Sequence, residues 1–180
     1  MVNIELTLTK YIRDLVELQN TVVIRVDDAA YSCISHGLTE ELLELHLAET
    51  QEDITKEAGD VFAYATLLLV AAELDNSIHS IANDSYSSLV TAVAIYLTDA
   101  YICSVGVDTI ELAQDCAGSF KRYFRGEEVV SQRKIASYAC NAVAYNCAEV
   151  PLKHILDTNI SKLTDRAKRG VMDVGKGDNR

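Results

Sequence analysis

Three features of the sequence predict an all-α fold. Helix breakers are scarce, with one Pro and eight Gly in 180 residues. Apolar residues make up 49% of the chain and recur at three- and four-residue spacing, as on the buried face of a helix. No window longer than a few residues alternates apolar and polar as a half-buried strand does.

Taken in order, the first helix is expected over residues 7–35, with Ile12, Leu15, Val16, Val22, Val23 and Val26 on its apolar side. A second follows over 39–49 and a third over 52–74, ended by Asp75-Asn76-Ser77. The fourth, over 85–105, is apolar almost throughout and is closed by Gly106. Asp108 with Glu111 forms a capping pair that opens a fifth helix reaching Tyr123. Arg125-Gly126-Glu127-Glu128 reads as a turn, and Ser131 starts a sixth helix to Ala148. Pro151 fits the first turn of a seventh that stops before Gly170. Residues 1–170 then form one domain, with 85–148 as an extra helical region and 171–180 as a Gly-containing tail. Wide apolar faces, above all on the fourth helix, suggest burial between subunits.

A formal charge of −11 argues against a general nucleic-acid or anionic-membrane binder, because phosphate repulsion has nothing to offset it over a broad surface. Residues 88–107 are long enough to span a bilayer but carry Asp99 and several hydroxyls, so they read as a core or interface helix. The first residues show no basic segment followed by an apolar one, so no signal peptide is expected. Five Cys without metal-ligand spacing read as reduced core residues of a cytoplasmic protein.

The chemistry is expected where helices two and three meet. Glu41 and Glu44 border the stripe Leu38, Leu42, Leu45. At about 100° per residue, Glu57 falls inside the stripe Ile54, Val61, Tyr64, Leu68, with Asp60 on its flank. Chance alone supplies about four acidic pairs at this spacing in a chain with 27 Asp and Glu, so one pair carries little. Two pairs on neighbouring helices, both leaning inward, carry more. Either these are solvated faces of an acidic protein, or a hard divalent cation holds them together, since buried unpaired carboxylates are costly and such ions prefer oxygen ligands.

The same residues carry a resemblance. Gly37-Leu38-x-Glu40-Glu41-x-x-Glu44-Leu45 followed by Glu57-x-x-Asp60-Val61 resembles the EExxE…ExxD signature of the MazG-like, all-α nucleoside triphosphate pyrophosphohydrolases. It implies a four-helix core with added helices, assembled as a homodimer or homotetramer. It implies Mg²⁺, with Mn²⁺ as a substitute, on Glu41, Glu44, Glu57 and Asp60. Glu40 would orient a ligand or help the attacking water lose its proton.

Asn159, Lys162 and Arg166 share one face of the seventh helix, ahead of Arg169-Gly170 and Gly175-x-Gly177-Asp178-x-Arg180. This is similar to the N-x-x-K-L-x-x-R-x-x-R-G…G-x-G-D-x-R ending of many MazG-like proteins, which implies that Lys162, Arg166 and Arg180 grip substrate phosphates while Asn159 and Asp178 position them. Ordinary C-terminal helix chemistry accounts for the same cations. Lys121, Arg122 and Arg125 read as a solvated turn.

The expected function is hydrolysis of an NTP or dNTP to the monophosphate and pyrophosphate. Two other readings stay open: a hydrolase of a guanosine alarmone or other pyrophosphate nucleotide with the same ligands, and a non-catalytic helical adaptor or regulator.

Overall fold

The computed structural model describes residues 3–18, 28–77, 85–103, 106–123, 125–127 and 131–169. These form seven helices: α1 Ile4–Leu18, α2 Asp28–Leu47, α3 Gln51–Ser77, α4 Ser85–Ile102, α5 Thr109–Tyr123, α6 Gln132–Asn146 and α7 Leu152–Lys168. No strand occurs among the described residues.

The third helix organises the rest. It packs against α2, α6, α7, α4 and α1, and from Glu57 to Ala72 every side chain but the half-buried Tyr64 is buried. A helix apolar on all sides belongs in the interior, and Ala58, Val61, Phe62, Ala65 and Leu68 have no exposed surface. Leu8, Ile12 and Leu15 from α1, Leu38 and Leu42 from α2, and Ile135, Cys140 and Val143 from α6 join the same core. The two acids on the first half of α3 are thereby carried into the interior with it.

Local capping follows the expected chemistry. Asp108 Oδ1 accepts from the amides of Ile110 at 2.8 Å and Glu111 at 3.1 Å to open α5. Ser131 Oγ accepts from Lys134 N at 3.2 Å to open α6. The start of α3 is capped by Thr50, whose hydroxyl accepts from Asp53 N at 3.1 Å.

The first two helices depart from expectation. The helix expected over residues 7–35 is described as α1 up to Leu18, and residues 28–35 belong to α2, which passes unbroken through Gly37 and Thr39. Val22, Val23 and Val26 lie outside the described residues. Gly37 is not a stop signal, because a Cβ there would overlap the Tyr64 ring, so the glycine serves close packing against α3. Thr39 does not cap: its hydroxyl donates to the Ser35 carbonyl one turn back at 2.8 Å, as a mid-helix threonine does.

Much of α4 is buried within the chain, through Val90, Val93, Ala94 and Leu97, while Tyr86, Ile95 and Ile102 are large apolar residues that it leaves exposed. One smaller expectation is corrected. Cys116, Cys140 and Cys147 are buried and Cys33 is half-buried, but Cys103 is exposed, because α4 ends one residue before it. No described helix is long and apolar enough to cross a membrane.

Candidate functional site

Leu38, Leu42 and Leu45 clamp α2 onto α3, each at most 3% exposed, and this packing turns the acids between them inward. One carboxylate oxygen from each of Glu41, Glu44 and Glu57 lies within 4.8 Å of the others. Glu57 is buried, while Glu41 and Glu44 are half-buried. Glu41 Oε2 and Glu57 Oε2 are fully enclosed and have no hydrogen-bond partner. The other Glu57 oxygen accepts from Lys56 Nζ at 2.9 Å. Burial raises the Glu41 carboxyl from 4.5 to about 8, helped by the charges of Asp60, Glu44 and Glu57 and opposed by Lys162.

Asp60 lies one turn further along α3 and outside this cluster. Its Oδ1 accepts from Asn159 Nδ2 at 2.7 Å, and its Oδ2 takes an ion pair from Lys162. Burial pushes its carboxyl upward, and the Lys162 ammonium beside it opposes that rise without cancelling it. Asn159 in turn accepts at Oδ1 from the Tyr11 hydroxyl at 2.9 Å. Burial holds the Tyr11 hydroxyl well above its ordinary pKa, so it remains a donor. Its ring packs edge-on against Phe62 at 5.9 Å. A polar chain thus runs Tyr11–Asn159–Asp60–Lys162, using α1, α7 and α3.

Gly59 makes the chain possible. A Cβ there would stand 3.0 Å from Asn159 Cβ and 3.4 Å from the Ile155 carbonyl oxygen, so only glycine lets α7 come this close to α3. Ala in place of Gly normally strengthens a helix by about 1 kcal/mol. Here Gly59→Ala is expected to reverse the sign and destabilise by about 1–2 kcal/mol through overpacking, read from the urea midpoint. It should also separate Asn159 from Asp60.

On the α7 side opens a cleft of about 970 Å³. Its lining includes Lys56, His154, Lys162, Arg166 and Arg169. Lys56 and Lys162, which hold Glu57 and Asp60, line it together with the acids Glu52 and Glu149, whereas Glu41, Glu44, Glu57 and Asp60 do not.

Of the residues expected from sequence, Glu41, Glu44 and Glu57 come together. Glu40 is exposed and outside the group, and its charge acts on the Tyr64 hydroxyl. Asn159, expected as a substrate contact, is 2% exposed and gives both ends of its amide to Tyr11 and Asp60, so it positions Asp60. Lys162 and Arg166 line the cleft, and the Arg166 charge also acts on Asp60. Asp178 and Arg180 lie outside the described residues. Among the turn cations, Arg122 donates to its own helix at the Gly118 carbonyl and Arg125 stands 4.0 Å from Glu127.

No family model, curated protein or solved structure matches this chain. The chemistry of the site is carried by its own geometry. Sequence reasoning missed Tyr11, Lys56, Gly59 and His154. Of these only Gly59 left a local sign, a glycine in the middle of a helix that is otherwise well filled.

Proposed function

We propose that this chain is a Mg²⁺-dependent nucleoside triphosphate pyrophosphohydrolase of the MazG-like kind, cleaving an NTP or dNTP to the monophosphate and pyrophosphate. The observation that supports this most is the pair of enclosed, unpartnered oxygens, Glu41 Oε2 and Glu57 Oε2, inside a three-carboxylate cluster. Buried acceptors of this kind are costly unless something satisfies them. The cluster is all carboxylate, without His or Cys, which fits Mg²⁺ or Mn²⁺ better than a softer ion.

In this reading Glu41, Glu44 and Glu57 hold the ion, with Asp60 beside them. A Mg²⁺ ion held there supplies positive charge at phosphate oxygens and lowers the pKa of a coordinated water. Lys162 and Arg166 on the cleft wall bind the phosphate tail as charge-assisted donors. Exposed Glu40, next to Glu41 in sequence, would orient a ligand or take up a proton from the attacking water. The cleft, at about 970 Å³, is within the range that holds a small organic ligand. Tyr86, Ile95 and Ile102, exposed on α4, are apolar residues that support homo-oligomer formation.

The deciding experiment is a panel of NTPs and dNTPs with Mg²⁺, assayed for pyrophosphate with and without chelator. At least one nucleotide is expected to yield pyrophosphate in a chelator-sensitive way. Release of orthophosphate alone would overturn the reaction type. Turnover of a guanosine alarmone in place of every triphosphate would keep the site and change the substrate class.

A further inference from the structure

We propose that Lys56 and Lys162 are built-in counter-ions that exchange partners. Each neutralises a site carboxylate while the acidic cluster holds no cation, and each swings into the adjoining cleft, toward a polyphosphate chain, once a divalent cation takes its place. This rests on the reading above, since it needs a cation at the acids and a polyanion in the cleft.

The juxtaposition is specific. Lys56 pairs with Glu57 at 2.9 Å and Lys162 pairs with Asp60, and both lysines also line the cleft. Their side chains are 42% and 22% exposed, against 9% and 8% for the carboxylates they hold. The acids are therefore inside, and the ammonium groups stand at the boundary between acids and cleft. Two ammonium charges equal the charge of one divalent ion, so the exchange keeps the interior balanced. The substitution by lysine is incomplete, because Lys56 reaches only one Glu57 oxygen and leaves Glu57 Oε2 and Glu41 Oε2 unpartnered. A cation seated among the three glutamates satisfies what the lysines leave over, takes the place of Lys56 at Glu57, and from one turn away supplies the positive charge that Lys162 gives Asp60.

Lysine suits this role. Its ammonium is a compact, strongly hydrated charge on a flexible four-carbon stem, whereas arginine's planar fork would fix a single pose. Once released, the ammonium groups of the two lysines, which already line the cleft beside His154, Arg166, Arg169 and the acids Glu52 and Glu149, are free to meet an anion and raise its affinity there. Cation and polyphosphate then favour each other's binding, and the coupling is reciprocal.

The test uses the full chain, Mn²⁺ and inorganic triphosphate. Lysine acylation by an amine-reactive reagent is mapped by mass spectrometry, with Lys10, Lys153 and Lys168, each paired to an acid on its own helix, as internal references. Saturation with Mn²⁺ is expected to raise acylation of Lys56 and Lys162 severalfold while the references stay level. Adding triphosphate to the Mn²⁺-loaded protein should suppress it again. Lys162→Gln is expected to bind Mn²⁺ severalfold more tightly by electron paramagnetic resonance titration, because a competing cation has been removed. Mn²⁺ binding without a change in lysine reactivity would overturn the exchange and leave the proposed function standing. Weaker Mn²⁺ binding by a folded Lys162→Gln protein would do the same. No Mn²⁺ binding to the parent protein would overturn the proposed function and the exchange together.

Discussion

Glu57→Gln is expected to suppress pyrophosphate release at least ~100-fold while leaving the protein at least as stable as the parent near neutral pH. Glu57 is the buried member of the cluster, and the amide keeps its volume while removing the charge a cation needs. Loss of a direct cation ligand should exceed the 10- to 100-fold losses typical of groups that only orient such ligands, so a fall of at least ~100-fold is expected. Stability should move the other way, because the substitution removes one of several like charges from a dry site. Asp60→Asn is expected to lose turnover as well but also to loosen the fold, because Lys162 and Asn159 both bind that carboxylate. Turnover in the panel assay and thermal midpoints check both variants. Unchanged turnover in both would remove the acids from the chemistry.

The second large effect is a stability that falls with pH and is restored by a divalent cation. Glu41 carries its proton in the folded state up to about pH 8, against an ordinary value of 4.5. Below the ordinary value both the folded and the unfolded chain are protonated, and the site costs nothing. Between the two values the unfolded chain binds fewer protons than the folded one, so unfolding becomes easier as pH rises. Above about 8 the folded protein carries the buried charge, and the loss is complete. Asp60, also shifted upward, adds to the same trend. A cation at 100 times its Kd stabilises by about 2.7 kcal/mol. For a domain of this size that corresponds to a rise in Tm of roughly 5–10 °C. Thermal scans at pH 6 and pH 8, with Mg²⁺ or with chelator, should show the larger cation effect at pH 8. Equal midpoints with and without Mg²⁺ at both values would count against a cation at these acids.

Helical spacing alone placed Glu57 inside an apolar stripe, and the residue is buried there. The same spacing put Leu38, Leu42 and Leu45 on one face of α2, where all three are buried. Periodicity reports burial well because an interior helix must match its neighbours turn by turn. It failed at Gly37 and Thr39, since a glycine admitted for a crossing ring and a threonine bonded back to Ser35 look like a helix boundary when read locally. Lys56 went unnoticed for a similar reason. Adjacent residues on a helix point about 100° apart, and only the length of the lysine stem brings its ammonium to Glu57. The Tyr11–Asn159 contact joins residues 148 apart, and no local pattern encodes a pairing at that distance.

The Asn159 link carries a consequence for the order of events during synthesis. Glu41, Glu44, Glu57 and Asp60 all leave the ribosome well before α7, which brings Asn159 and Lys162. Synthesis delivers the N-terminal side first, so the nascent chain passes through an interval in which the acids exist without their partners from α7. Asp60 is then unclamped, and the wall that α7 contributes to the cleft has yet to form. A product truncated before α7 thus lacks both side chains that hold Asp60 and the wall of the cleft that carries Lys162 and Arg166.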